Sequence, residues 1–436
     1  MARISKKKLA SAVTGALMMA CFGVPAAQAT EGYFQHGISA RSKAMGGAGV
    51  ADTRDAFGAA LNPAGAIDAG NEFQANLSLF SPNRHFRGTG QGFVPQGDFK
   101  SGQNYFPVPG FAYSHQFADN FGFALTAVGN GGMNTTWKQD LANPVCASGP
   151  FPAPTGVFCG GKTGVNLSQL LVAASFAYKF ADVLTIGVAP VLAIHQFKAR
   201  GLAAFSPFSV DPAHLTNNGN AYSSGLGARF GFQIDTGGPV RLAGTYESEL
   251  NMSRFNKYRG LFADGGDFNI PKNFTLGVSV DATPDFTVNF DYKRISYQSV
   301  GAIGNSSSIP RPFGFYGGPG FGWHNVDAFK FGAEWRQTDQ WTWRAGFVKN
   351  NNPIKPESVT LNILAPGVQK THITGGFEYS PASRSSFEFA FMYSPTAKVS
   401  GIEVTPQGAN PFNTIQLRMR QWEASVGWTY KFGQGK

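Results

Sequence analysis

Beyond its first thirty residues the chain has no run of 18 apolar residues, so no helix can be read as crossing a bilayer. Charge is sparse: Asp, Glu, Lys and Arg make up only 14% of the residues. A helical bundle needs more Leu, Glu and Lys than that, and the composition excludes one. Cysteine is scarce, with three in 436 residues. His36, His85, His115, His195, His214, His324 and His372 are scattered without ligand spacing. No metal or other cofactor is therefore expected. No Gly-x-Ser-x-Gly elbow and no standout pairing of His with an acid occurs, so no enzyme is expected.

What the chain does have begins at the N-terminus. Arg3, Lys6, Lys7 and Lys8 precede an apolar stretch of about 16 residues, and Ala27-Gln28-Ala29 offers a cleavage site. Residues 1–29 read as a secretory signal peptide. The alternatives are a retained helix, which this run is short for, and a lipoprotein signal at Cys21, where Met18 replaces the usual Leu. Removal of residues 1–29 leaves 32 basic against 26 acidic residues, a net charge of +6. No Lys/Arg cluster remains, so no nucleic-acid partner is expected. The modest positive excess suits contact with the lipid and lipopolysaccharide of a membrane surface. Cys146 and Cys159 flank a Pro/Gly-rich stretch, which predicts a disulfide that staples a loop in an oxidising compartment.

The chain is rich in Phe (40) and Gly (55). From about residue 71 onward the pattern has period two. Phe286, Val288, Phe290 and Tyr292 alternate with Thr287, Asn289, Asp291 and Lys293. Phe329, Phe331, Ala333 and Trp335 alternate with Lys330, Gly332, Glu334 and Arg336. Such alternation places apolar and polar residues on opposite faces of a strand. It does not say which face meets water; the connections do. Short turns fall at 118–120, 181–182, 235–239, 281–285, 337–340 and 380–384. Long Gly/Pro/Asn-rich loops fall near 83–103, 134–166, 201–220, 251–272, 299–325, 351–369 and 398–418. Alternating short turns and long loops are the signature of an outer-membrane barrel. The reading is all-β: a transmembrane antiparallel β-barrel of about 14 strands over residues 70–436, each of about 10–16 residues. The last strand alternates Val426, Trp428, Tyr430 and Phe432 with polar or small residues. Bacterial barrels commonly end on such a Phe, the address read by the barrel assembly machinery, although here four residues follow it.

Residues 30–69 do not alternate. They are rich in Gly and Ala and include Asn62-Pro63-Ala64. Phe34, Ile38, Met45, Phe57, Leu61 and Ile67 give them apolar anchors, which favours a plug inside the lumen over a disordered tail.

These features together resemble the FadL/TodX-type outer-membrane transporters of fatty acids and aromatic hydrocarbons. The resemblance rests on the Gly-rich N-terminal run followed by Asn62-Pro63-Ala64, on Asp327-Ala328-Phe329-Lys330-Phe331-Gly332, and on Trp343-Arg344-Ala345-Gly346 followed by Pro353. It implies a 14-stranded barrel with an N-terminal hatch. It also implies a hydrophobic ligand that binds among extracellular loops, then in an internal pocket, and leaves sideways at an inward bend in the third strand. That strand is 121–130 here. Gly129, Gly131 and Gly132 could form the bend or simply begin the next loop. Long-chain fatty acids are the expected cargo. Lys330 and Arg344 are the candidate carboxylate partners; the alternative for both is a salt-bridge network within the barrel. Phe205, Phe208 and Phe315 are candidate ligand contacts in the loops. The rival functions are an aromatic hydrocarbon channel and an open diffusion porin for small polar solutes.

Overall fold

The computed structural model describes residues 31–433; the predicted signal peptide lies outside the described residues. Fourteen antiparallel strands follow one another around a ring. They are β1 (Glu72–Gly88), β2 (Phe106–Ala118), β3 (Phe121–Asn134), β4 (Gly164–Phe180), β5 (Leu184–Arg200), β6 (Ala221–Asp235) and β7 (Val240–Glu247). Then come β8 (Asn273–Thr283), β9 (Phe286–Ile295), β10 (Val326–Arg336), β11 (Trp341–Asn350), β12 (Thr371–Ala382), β13 (Ser385–Thr405) and β14 (Gly408–Lys431). Each pairs with its sequence neighbours, and β1 pairs with β14 from Glu72↔Lys431 to Gly88↔Ile415, which closes the barrel. Closure leaves no open edge, and an open edge in hydrocarbon would carry unpaired amides.

The faces are inverted relative to a water-soluble sandwich. On β10 the rings of Phe329, Phe331 and Trp335 are exposed, while Lys330 and Glu334 between them are buried. In water this arrangement would be unstable on both faces. In a bilayer it stabilises both: the apolar wall meets lipid and the charges pair inside. At the short-turn end, Trp341, Trp343, Phe377, Tyr379, Trp428 and Tyr430 pack as neighbouring rings, an aromatic belt at one interface.

Two expected loops are corrected. β1 continues to Gly88 and pairs with a short strand, Gly97–Lys100, so much of 83–103 is ladder. Most of 398–418 is also ladder: β13 and β14 run for 21 and 24 residues and meet in a tight turn. Strand length therefore exceeds the 10–16 expected, because these strands continue past the bilayer where polar residues are no longer an argument against pairing.

Residues 31–69 contain two short helices, α1 (Ala40–Ala44) and α2 (Gly58–Leu61), and a 3-10 turn, Pro63–Ala66. Nearly all of these residues are buried. They bond to strands on every side of the ring. Ala56 and Phe57 amides donate to Glu72 and Gln74 of β1; Ser175 of β4 donates to Ala59 O; Asp291 of β9 accepts from Gly49 and Val50; Thr374 of β12 donates to Ala44 O. A segment that touches opposite walls of a closed ring lies within it.

Candidate functional site

The N-terminal segment is seated by charge and by small residues. Arg41 donates to Asp52 (2.9 Å) and to Glu334 of β10 (3.1 Å), and Glu334 also accepts from Arg344 of β11 (2.7 Å). Arg344 reaches on to Glu378. Lys43 pairs with Glu423 of β14 at 2.5 Å. Glu31 sits between Lys330 (2.6 Å) and Lys293 (3.1 Å). Each of these buried charges thus has an opposite neighbour, which offsets the cost of burying it.

Asn62-Pro63-Ala64 forms a capped turn. Asn62 Oδ1 accepts from the Ala64 amide (3.0 Å), while its Nδ2 donates to Val50 O and to Phe232 O of β6, both at 3.1 Å. The wall beneath has no side chains. Gly187 of β5 and Gly231 of β6 are register partners, and a Cβ on either would overlap the turn's own atoms.

The wall is interrupted between β2 and β3. Their ladder stops at Gly110↔Val128, although β2 begins four residues earlier and β3 continues to Asn134. The part of β2 with no partner on β3 is Phe106-Pro107-Val108-Pro109, still in register with β1, and its two prolines have no amide hydrogen to give. On β3 the register with β4 slips between Gly129 and Gly131, a bulge at Asn130. The freed groups bond inward. Gln35 N donates to Asn130 O (3.1 Å), Gly132 N donates to Tyr33 O (3.0 Å), and Gln35 Nε2 donates to Gly129 O. The start of the N-terminal segment therefore lies on the gap.

Above the barrel the loops enclose an apolar cavity of about 30 Å³, lined by Phe197, Leu202, Phe205, Phe262, Phe313 and Phe321 among others. Beside it is a second cavity of about 20 Å³, lined by Phe80, Met133, Trp323, Met419 and Arg84. Phe321 and Leu364 line the first, and their near neighbours in the chain, Trp323 and Ala365, line the second. Six Lys and Arg side chains are buried among the described residues: Arg41, Lys43, Arg84, Arg229, Lys330 and Arg344. Five of them pair with a carboxylate; Arg84 does not. Its guanidinium donates to Asn134 and to Gln103 O and lies over the Phe106 ring. Its Nε has no partner.

Of the residues singled out from sequence, Phe205 lines the apolar cavity. Phe208 only packs against the cluster around it, and Phe315 is largely exposed under the Arg311 guanidinium. Lys330 and Arg344 face the lumen but are held by Glu31 and by Glu334 and Glu378, so neither is open to a ligand's carboxylate. Gly129, Gly131 and Gly132 lie within β3 at its bulge, and Cys146 is bonded to Cys159. Arg84, Pro107 and Pro109 were missed. The prolines carried a signal, since two of them within a strand argue against a complete ladder. His36 and His372 stack with ring centres 5.9 Å apart, a contact across 336 positions that no spacing rule foresees.

The outer membrane protein transport protein (OMPP1/FadL/TodX) family model matches residues 20–432. Comparison with curated proteins returns no match. Among solved structures, the chain is similar to the Pseudomonas putida toluene transporter TodX, with 17% identity, a TM-score of 0.63, 92% of this chain covered and 100% of that one. It is similar to the Ralstonia pickettii toluene transporter TbuX, with 18% identity, a TM-score of 0.61 and coverage of 91% and 99%. It is also similar to a Pseudomonas aeruginosa FadL homologue, with 15% identity, a TM-score of 0.64 and coverage of 92% and 100%. At these identities the structural likeness speaks for the fold, while the family match spans nearly the whole sequence. The chain belongs to the OMPP1/FadL/TodX family of outer-membrane transport proteins, and is a transporter in that membrane, not an enzyme.

Proposed function

We propose that this protein takes up hydrophobic compounds across the outer membrane, and that its cargo is long-chain fatty acids. The observation that carries the cargo is Arg84: a buried cation with no carboxylate partner, at the edge of an apolar cavity. A fatty acid supplies what that site lacks. Its chain gains about 0.8 kcal/mol per buried CH₂ among the Phe residues, and its carboxylate meets the guanidinium. The loops take the molecule first, through the cavity at Phe205 and Phe313. The N-terminal segment acts as a hatch; when Tyr33–Gln35 leave the β3 bulge, the gap beside Pro107 and Pro109 becomes a sideways exit.

A second reading, uptake of a neutral aromatic hydrocarbon, is favoured by the upper cavity, whose lining contains no charged residue. TodX and TbuX are both described as toluene transporters. An open porin fits poorly with a segment that bonds to every side of the lumen.

The experiment is saturable binding of a fluorescent long-chain fatty acid to the purified barrel, with toluene and glucose as competitors, in the native chain and in Arg84→Gln. Removal of a buried charged partner weakens binding by roughly tenfold to a hundredfold. A loss of that size for the fatty acid, with glucose inert, supports the assignment. Unchanged affinity in Arg84→Gln, together with displacement by toluene, replaces it with the hydrocarbon reading.

A further inference from the structure

The bulge in β3 has a second consequence, on the outside of the barrel. It shifts the alternation, so that Asn134, buried at the gap, pairs with Asn166, a half-buried residue with the parity of the lipid-side row on β4. In the next pair of strands Asn166 is level with Lys198, and Gly164 with Arg200. Lys198 and Arg200 share the parity of Ile186, Val188 and Leu192, which are exposed on the lipid side. At the long-loop end these residues border a cleft of about 220 Å³, lined by Lys162, Lys198, Arg200, Asn134, Asn166 and Asn220 among others. No Asp or Glu lines it.

Below the cleft the outer wall changes in steps. Ser168↔Gln196 follows Asn166↔Lys198, then Leu170↔Ile194, then Val172↔Leu192. Four residues separate the cationic row from the first apolar one, roughly 13 Å along the strand and less along the tilted bilayer normal. The cations therefore stand above the apolar rows, on the side where head groups lie over their acyl chains.

We propose that this cleft binds the phosphate groups of an outer-leaflet glycolipid, with the acyl chains lying along the apolar rows beneath. Three cations without an acid are complementary to a multiply charged anion. Asn166, held by Asn134, and the exposed Asn220 add side-chain amides that can meet sugar hydroxyls or phosphate oxygens. The site does not depend on the cargo; it depends only on the barrel's orientation in the membrane.

The test uses the protein extracted from the outer membrane and stripped of lipid. Binding is read by native mass spectrometry for a bisphosphorylated lipid-A-type glycolipid, for the same glycolipid dephosphorylated, and for inorganic phosphate as competitor. The expected result is tight, salt-sensitive binding of the phosphorylated form only. Replacement of all three cations (Lys162→Gln, Lys198→Gln, Arg200→Gln) should weaken it about a hundredfold at low salt, and Lys398→Gln, on the far hairpin, should leave it unchanged. Equal binding of the dephosphorylated form, or unchanged binding by the triple variant, overturns the proposal. Competition by inorganic phosphate at equimolar concentration makes this a free-anion site and overturns the lipid assignment. If the triple variant does not fold, the phosphorylated and dephosphorylated forms compared on the unaltered chain still decide it.

Discussion

Tyr297 belongs to a loop, yet it holds the start of the N-terminal segment. Its hydroxyl donates to Glu31 O at 2.5 Å and accepts from the amides of Tyr33 and Phe34 at 3.1 and 3.3 Å. Burial pushes the phenol well above its ordinary pKa, so the proton it donates stays in place at any working pH. Phe in its place keeps the ring and strands two amides and a carbonyl. The local cost is about 1–3 kcal/mol, because buried groups are left without partners. Tyr297→Phe is therefore expected to speed hydrogen exchange at residues 31–35 while the barrel strands stay protected; equal protection of 31–35 in both proteins would show that the aromatic cluster alone holds them. Gly231 makes a second residue-scale case. A side chain there would occupy the position of Asn62 Oδ1. Gly231→Val is expected to unseat the Asn62-Pro63-Ala64 turn and raise ion leakage in planar bilayers. Gly238→Val, at an open turn, is expected to leave leakage unchanged.

At the scale of elements, the gap between β2 and β3 is where a route through the wall can be tested. A Cβ at Gly129 falls 2.9 Å from Val108 Cγ1, so cysteines at these two positions face each other across the gap. Uptake by the double variant should fall when the pair is oxidised and recover on reduction; uptake indifferent to the crosslink would rule out this gap as the exit. The same elements show how far the sequence could be read. Period-two alternation and the sorting of turns by length were enough for 14 strands and for the side of each strand that faces lipid, since both follow from local chemistry. Lys330, Glu334 and Arg344 were placed on the lumen side by parity alone. Their partners were not legible, because Arg41 and Glu31 come from a segment without periodicity some 300 positions away. Gly129, Gly131 and Gly132 left a bend and a loop start equally open, as glycine suits both. Only the register slip against β4 distinguishes them. Arg84 gave no signal either: it falls in the stretch 83–103 that reads as a loop, and what sets it apart is the absence of an acid nearby in space.

At the scale of the molecule, the barrel and the segment inside it share one set of charges. Glu31 lies against Lys293 and Lys330, Arg41 and Arg54 against Glu334, and Lys43 against Glu423. The strands also hold pairs that need nothing from the segment, such as Arg229–Glu247, Arg241–Asp281 and Arg344–Glu378. Ring closure through β1 and β14 is likewise independent of it. A chain that lacks residues 31–69 but keeps residues 1–30 is therefore expected to assemble as a barrel, with lower thermal stability. Its lumen would then be bounded by Glu334, Glu423, Lys330 and Lys293, a wall that water can wet and ions can cross. Planar-bilayer recordings should show steady conductance where the full chain shows little, and liposomes should admit glucose. Specific fatty-acid uptake should fall at the same time, because the pocket would no longer be closed below Phe80 and Met133. If the shortened barrel remains tight to both ions and glucose, the loops above it, and not the N-terminal segment, form the barrier.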